Sequence, residues 1–223
     1  MDWSFISDHV SDFISGAWIT LRFGLYGVGC SVIVGLLCSL LRFLRIPVLR
    51  GVARTYVELS RNTPLLVQLF FLYAGLPRMG IRFSAEACAV IGLTFLGGGY
   101  MAEAFRSGLE AVDKPQREAG ECIGLTRTQV MRYVLLPQAL ATAAPALFAN
   151  VIFLIKETSM FSVLAMMDLM NVADTLRTSG GRTIEVLFML VIAYLVILLQ
   201  ISILSTLAER RLRFAGFGLQ RSV

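Results

Sequence analysis

Five apolar stretches without a charged residue alternate with shorter polar segments along the chain. The stretches are residues 23–41, 62–77, 87–102, 133–155 and 186–208. A transmembrane helix needs roughly 20 apolar residues, with a range of about 17–25. The first, fourth and fifth stretches reach this length alone, and the other two reach it if their helices extend past Arg61 and Glu103. The predicted spans cover about residues 17–41, 55–77, 85–108 and 139–155, and a fifth that ends at 208. The pattern therefore predicts an all-α fold with five transmembrane helices.

Composition supports a membrane protein. Hydrophobic residues make up 57% of the chain and charged residues 16%, whereas a typical soluble domain is ~25% charged. A soluble core could not hide this much apolar surface, so the solvent must be lipid. No linker or internal repeat is visible, and we expect one transmembrane domain over residues 1–223. The first 21 residues contain no Lys or Arg, which argues against a secretory signal.

The orientation follows from the distribution of Lys and Arg, which are enriched in cytoplasmic loops. Twelve fall on one side of the predicted spans. They are Arg42, Arg45, Arg50, Arg54, Lys114, Arg117, Arg127, Arg132, Arg210, Arg211, Arg213 and Arg221. The opposite side has four, namely Arg78, Arg82, Arg177 and Arg182. The first side is predicted to be cytoplasmic, so the N-terminus lies outside and the C-terminus inside. The net charge of +5 reflects this asymmetry, and we do not expect nucleic-acid binding.

The cytoplasmic loop, about residues 109–137, predicts two short helices joined by a glycine turn. Asp113 suits an N-cap, and Gly124 suits a left-handed position after a helix end. Thr126 and Gln129 have the spacing of a capping box for the second helix. Such a rigid knuckle is suited to insertion into a groove of a partner protein. The alternative is an amphipathic helix that lies on lipid headgroups.

A resemblance to a known family lies in residues 116–139, which read QREAGECIGLTRTQVMRYVLLPQA. This stretch resembles the EAA loop of ABC importer permeases, and in particular of the polar amino-acid uptake family, which includes histidine, glutamine and arginine permeases. Residues 58–68, 100–106 and 150–159 also resemble the corresponding parts of that family. The resemblance covers roughly residues 15–210.

The resemblance implies the fold of a type I ABC importer permease and a multi-pass location in a bacterial inner membrane. It implies three kinds of protein partner: a dimer of ATPase subunits, a second permease subunit that is identical or a sister chain, and an extracytoplasmic amino-acid-binding protein. The chain has no GxxxxGK[ST] motif, so ATP and Mg are expected on the partner ATPase and no cofactor on this chain. The coupling contact with that ATPase would be made by Glu118, Ala119, Gly120 and Gly124.

Polar groups in or near the spans are candidates for the substrate pathway, because such groups are costly in lipid and usually face a cavity or a partner. The candidates are Gln68, Tyr100, Glu103, Asn150, Lys156, Glu157, Thr158 and Ser159. Charges and free backbone groups after the fourth span would suit a zwitterionic amino acid, as in the broken helices of transporters. The alternatives are polar contacts between helices and snorkelling of Lys156 to the interface.

Two acid–arginine pairs have a spacing of three residues, which places both side chains on one helix face. Glu58 and Arg61 are predicted to form a structural ion pair, and Glu103 and Arg106 have the same spacing. The chain departs from the family pattern at Gly120, where Ala is usual, and at Glu157, where Asp is usual. The run of three glycines at 97–99 is also unusual.

Two other classes of function are less well supported by the sequence. A secondary transporter or channel driven by an ion gradient is the alternative to an ABC permease, but paired repeats with interrupted helices are not visible. Enzyme chemistry is not expected, because the chain has one histidine, His9, and no HExxH, GxSxG or paired-cysteine metal motif. No metal site is predicted.

Overall fold

The computed structural model describes residues 2–43, 47–180 and 182–215, and the regular structure in these residues is helical. The α-helices of this part are α1 (Trp3–Phe43), α2 (Pro47–Arg61), α3 (Leu65–Phe70), α4 (Ala85–Glu110), α5 (Lys114–Cys122), α6 (Arg127–Val130), α7 (Leu136–Glu157), α8 (Leu169–Gly180) and α9 (Thr183–Ala215). Short π- or 3₁₀-helical turns cover Phe71–Gly75, Leu76–Met79, Met131–Leu135 and Thr158–Val163. Arg45 and Arg221, counted above as cytoplasmic cations, lie outside the described residues.

Four helical segments of the described residues are long and apolar enough to cross a membrane. They are Trp3–Arg42, Ala85–Glu110, Arg127–Val163 and Thr183–Leu212. A fifth, shorter apolar helix covers Leu65–Met79. The helical segments that contain the predicted first and fourth spans begin earlier than expected, at Trp3 and Arg127 instead of about 17 and 139. Polar residues there continue the helix beyond the apolar core.

The predicted second span, about residues 55–77, is interrupted. Its helix begins earlier, at Pro47, and stops at Arg61. Pro64 follows three residues later, and a proline disfavours the α conformation in the residue before it, here Thr63. Gln68 satisfies backbone groups at the break, since its Nε2 donates to the carbonyls of Ser60 and Thr63, at 3.3 and 3.0 Å. The helix break between α2 and α3 is therefore stabilised by side-chain hydrogen bonds.

Helices α1 and α4 run side by side in the same direction. Gly27 lies against Leu93, and two turns later Gly35 lies so close to Met101 that a β-carbon there would collide with it. Between these points the Ser31 hydroxyl donates to the carbonyls of Gly27 and Leu93, at 2.7 and 3.2 Å. Close contact of this kind is how helices associate in lipid. Because both helices end at the same end of the bundle, the segment between them returns to the other end.

The other long helices complete the bundle around α4. α7 runs antiparallel to α4, since Gly108 lies against Ala139 while Gly97, three turns earlier, lies against Leu154. α9 begins beside the start of α1, where Arg182 forms an ion pair with Asp2. The starts of α1 and α9 therefore share one end of the bundle, and α5 follows α4 at the opposite end.

The unusual run of three glycines serves helix packing. A β-carbon on Gly98 would collide with the Tyr56 hydroxyl, and one on Gly99 with the Ser60 hydroxyl. Tyr56 donates a hydrogen bond to the Phe95 carbonyl at 2.9 Å. The glycines thus let α2 approach the backbone of α4 directly, next to the break at Pro64.

Candidate functional site

The loop between α4 and α7 forms the two-helix knuckle that its sequence predicts. α5 ends at Cys122, and two residues later Gly124 has a φ of +83°, the left-handed conformation that glycine adopts without strain. The Leu125 N–H donates to the Gly120 carbonyl at 3.2 Å and the Gly124 N–H to the Glu121 carbonyl at 3.0 Å. This is the Schellman pattern, in which the last carbonyls of a helix are satisfied by the turn itself.

The second helix of the knuckle begins with the predicted capping box. The Thr126 N–H donates to Gln129 Oε1 at 2.8 Å, and the Gln129 N–H donates to Thr126 Oγ1 at 3.4 Å. Asp113 is the N-cap residue of α5 by its extended backbone, but its side chain makes no capping hydrogen bond. The turn between the helices is therefore fixed by local bonds at Gly124 and Thr126, and less so at the start of α5.

The four residues predicted to contact the ATPase are divided between two faces of the knuckle. Glu118, Ala119 and Gly124 are exposed, whereas Gly120 is buried. A β-carbon on Gly120 would stand 3.2 Å from Val130 Cγ2. Gly120 thus holds α5 against the following helix, and the exposed residues form the face that is open to a partner.

A cavity of about 460 Å³ lies beside the break between α2 and α3. Its lining residues are Arg61, Asn62, Thr63, Pro64, Leu65, Leu66, Leu96, Tyr100, Phe153, Glu157 and Met160. Of the predicted pathway residues, Tyr100 and Glu157 line it. Sequence reasoning missed Asn62 and Thr63 as cavity residues, although an Asn-Thr-Pro turn inside an apolar stretch is a signal for such a break.

The cavity is lined by a positive charge, a negative charge and an aromatic surface. The Arg61 guanidinium lies over the Tyr100 ring, 5.3 Å from its centroid, and the Phe153 ring centroid lies 5.0 Å from that of Tyr100. Asn150 holds the backbone that carries the Tyr100 ring, since its Nδ2 donates to the Tyr100 carbonyl at 3.2 Å. Glu157 supplies a carboxylate to the same cavity. The arrangement offers one cation, one anion and apolar surface to a small molecule.

Glu103 lies in a different environment from the cavity. Its carboxylate binds Arg42 of α1 at 2.5 Å and Arg106 of its own helix at 2.7 Å. The predicted pairing partner of Arg61 is also engaged elsewhere, because the Glu58 carboxylate accepts a hydrogen bond from Asn62 Nδ2 at 3.5 Å. The ion pairs of the described residues do not include one between Glu58 and Arg61, since Arg61 ends its helix and turns to Tyr100.

The remaining pathway candidates are placed around the end of α7. Lys156 is exposed and Ser159 half-buried, while the Thr158 hydroxyl is fully buried and donates to the Ile155 carbonyl at 2.6 Å. Gln68, as described above, bonds the backbone at the helix break. No group of three or more potential metal ligands is found in the part of the chain that the structure describes.

Residues 31–214 match the family described as "binding-protein-dependent transport system inner membrane component". The chain belongs to this family. The permease is 34% identical over 213 residues to the probable amino-acid permease protein YxeN of Bacillus subtilis (strain 168), covering 94% of this chain and 95% of that protein. It is 32% identical over 214 residues to the glutamine transport system permease protein GlnP of Escherichia coli (strain K12), covering 95% and 98%.

Solved structures share the fold of the permease. A chain in the crystal structure of an amino acid ABC transporter with histidines is 36% identical and superposes with a TM-score of 0.88. The match covers 95% of this chain and 99% of that chain. A chain of the MetNI methionine ABC transporter has a TM-score of 0.75 at 20% identity, covering 90% of this chain and 95% of that one, which supports the fold alone. The predicted family is confirmed: the permease is a multi-pass inner-membrane component of an ABC transporter, whose ATPase is a separate subunit.

Proposed function

We propose that the permease forms the translocation pathway of an ATP-driven amino-acid importer in a bacterial inner membrane. Relatives that are similar over nearly the whole chain are named as amino-acid or glutamine permeases, which supports the amino-acid class of cargo. The permease pairs with a second permease subunit, identical or sister. A dimer of ATPase subunits binds ATP and Mg in the cytoplasm, and an extracytoplasmic binding protein delivers the amino acid.

The proposed topology has five crossings, with the N-terminus outside and the C-terminus in the cytoplasm. It is supported by the parallel course of α1 and α4, because a chain that links two parallel spans must itself cross between them. The interrupted segment from α2 to Met79 would make that crossing. The excess of Lys and Arg at the end of the bundle that carries α5 supports the cytoplasmic assignment of that end.

The observation that carries the proposal is the exposed face of α5. A helix that lies on lipid headgroups needs a wide apolar face, but the residue of α5 that is buried is a glycine, and its exposed residues include the ion pair Arg117–Glu121 at 3.0 Å. Such a face suits a protein groove better than a lipid surface. Its Glu118 offers a carboxylate to a basic group or N–H of the ATPase, and Ala119 permits close approach.

The cavity beside the helix break is proposed as the substrate pathway of the permease. Glu157 would receive the ammonium group of an amino acid and Arg61 its carboxylate, since charge-assisted hydrogen bonds are the strongest polar contacts available at such a site. Tyr100 and Phe153 would cover the aliphatic part. Glu103 is given a structural role instead, because two arginines already neutralise it.

Uptake into proteoliposomes that contain the purified importer and its binding protein tests this assignment. Glu157→Gln should lower kcat/KM for the amino acid about tenfold or more, because a hydrogen bond between charged groups becomes weaker. Glu86→Gln, an exposed carboxylate on the first turn of α4, is the matched control and should leave uptake unchanged. Equal kinetics of the two variants would contradict the pathway.

A further inference from the structure

A second cavity, of about 110 Å³, lies between α1, α2 and α4 at the end of the bundle that leads into α5. Its lining residues are Ser39, Arg42, Arg50, Arg106, Leu109 and Glu110. Three of the six are arginines from three different helices. A cavity needs only about 10–15 Å³ of probe-occupied volume to hold one water molecule, so this one has room for a larger polar group. It is separate from the cavity beside the helix break and shares no lining residue with it.

The charges around this cavity do not cancel. Arg42 and Arg106 share the carboxylate of Glu103, and Arg106 also binds Glu110. Arg50 takes part in none of the ion pairs or hydrogen bonds of the described residues. Three guanidinium groups thus face two carboxylates, which leaves one formal positive charge at the cavity.

A buried hydroxyl in the same cavity also lacks a partner. Ser39 is 1% exposed, and its Oγ makes no hydrogen bond with the described residues. This is unusual, because a serine in a helix can donate to a carbonyl one turn back, as Ser31 does to Gly27. Buried polar groups without a protein partner are rare, and a water, ion or ligand usually satisfies them. Ser39 and Arg50, of which the first is buried and the second exposed, both line this cavity.

We propose that this cavity binds a phosphate group, presented by the headgroup of an anionic lipid or free in solution. Arginine matches phosphate by its planar array of N–H donors, and a serine hydroxyl adds a further donor. The cavity lies where α1 and α4 leave the apolar region, which is the depth of lipid headgroups. Basic pockets between transmembrane helices on the cytoplasmic side bind such headgroups. The cytoplasmic placement rests on the proposed function, whereas the phosphate chemistry does not.

A bound phosphate would link three helices. It would join Arg50 of α2 to Ser39 of α1, beside the ion pairs that already tie α1 to α4. Because α4 leads directly into α5, the ligand would stabilise the helix ends that carry the knuckle. We therefore expect the purified permease to be more stable when the ligand is present, as any ligand that binds the folded state alone stabilises it.

The test is titration of the purified full-length permease, held in an uncharged detergent, with phosphatidylglycerol, phosphatidylcholine, glycerol phosphate or inorganic phosphate. The readouts are lipid retention by native mass spectrometry and the shift in Tm. Arg50→Gln removes the unpaired charge and leaves the ion pairs of Glu103 intact. Arg54→Gln makes the same change one turn further along α2, at an exposed arginine that does not line the cavity.

The proposal expects phosphatidylglycerol to raise Tm and to be retained by the wild type and by Arg54→Gln, with about tenfold weaker binding to Arg50→Gln. Ser39→Ala should weaken binding as well, while the ligand-free Tm stays equal or rises. Equal effects of inorganic phosphate and the lipid would support the phosphate site and assign its source to solution. Equal loss in Arg50→Gln and Arg54→Gln, or binding that no variant changes, would overturn it. Lipid retention is measured without transport, so its result tests the phosphate site independently of the amino-acid uptake assay.

Discussion

The backbone of Gly120 lies directly against the side chain of Val130. A β-carbon added at Gly120 would lie only 3.2 Å from Val130 Cγ2, which is a tight contact. This contact holds α5 on the helix that follows it. An alanine at 120 would need a shift of a few tenths of an ångström, whereas a leucine would push the two helices apart.

We expect Gly120→Leu to lower the free energy of unfolding by about 1–3 kcal/mol, as is usual for overpacked sites, and Gly120→Ala to change it far less. Thermal unfolding of the detergent-solubilised permease measures both. Ala119→Leu is the control, because it adds the same side chain at an exposed neighbouring position. If both leucine variants unfold at the same temperature, the prediction that Gly120 packs against the following helix is wrong.

The left-handed conformation of Gly124 gives a second prediction. A β-branched residue at positive φ is strained, and the left-handed helical conformation costs roughly 1–2 kcal/mol for a residue with a β-carbon. Gly124→Val should therefore open the turn after α5 and increase its cleavage by protease, while Gly124→Asn should do so less, because asparagine visits this conformation more readily. Equal cleavage of the two variants would show that the backbone conformation at 124 does not control the turn.

Glu103 is predicted to support structure and not substrate choice. It is bound by Arg42 and Arg106, and these side chains are only partly buried, so Glu103→Gln should lower the free energy of unfolding by up to about 1 kcal/mol. Glu110→Gln should cost less, because Glu110 is 62% exposed and pairs with Arg106 alone. A competition assay over a panel of amino acids completes the test. A changed preference in Glu103→Gln with unchanged stability would return Glu103 to the pathway.

Asp168, in the turn before α8, predicts a pH dependence of stability. Its carboxyl is fully buried, and burial raises its pKa, although bonds from Asn171 and the Met170 N–H at 2.7 and 3.2 Å oppose the shift. A carboxyl whose pKa is raised in the folded state binds its proton more readily there than in the unfolded chain. Its contribution to stability is therefore present below the ordinary pKa and is lost as pH rises through the raised value.

Asp168→Asn stays neutral at every pH and should escape this loss. We expect its Tm to exceed that of the wild type increasingly as the pH rises from the ordinary carboxyl pKa to the raised value, with little difference below the ordinary pKa. Thermal unfolding at several pH values measures the difference. A gap between the two proteins that does not vary with pH would show that ionisation of Asp168 is not its cause.

The knuckle was predictable from the sequence because its bonds are local. Gly124 at the end of α5 and the pair Thr126 and Gln129 at the start of α6 lie within a few residues of the groups they bond. Asp113 is also a typical N-cap residue by its type and position, but its side chain makes no capping hydrogen bond. A local pattern therefore predicts the position of a helix end better than the bonds that stabilise it.

The break at Pro64 was not predicted, because an uncharged stretch of suitable length indicates only that the segment is apolar. The proline and the two polar residues before it were the available signal. The cavity that the break helps to form requires Tyr100 and Glu157 from two other helices. Contacts between residues so far apart in the chain depend on the packing of the whole bundle.

Ion pairs show the same limit. A spacing of three residues correctly indicated that Glu103 and Arg106 bind each other, but the identical spacing of Glu58 and Arg61 does not produce a pair. Arg61 instead reaches Tyr100 on another helix. Arg42, the second partner of Glu103, is 61 residues away in the chain, and no local pattern identifies it.

The central claim is that the exposed face of α5 binds the ATPase. Its most direct test is purification of the tagged permease from its native membrane, with ATP hydrolysis measured on the purified sample. Ala119→Arg places a long charged side chain on that face, and Thr175→Arg places the same side chain at an exposed position on α8. We predict that the wild type and Thr175→Arg retain an ATPase that hydrolyses ATP, and that Ala119→Arg stays monodisperse but loses both. An Ala119→Arg variant that keeps the ATPase and its activity would contradict the account.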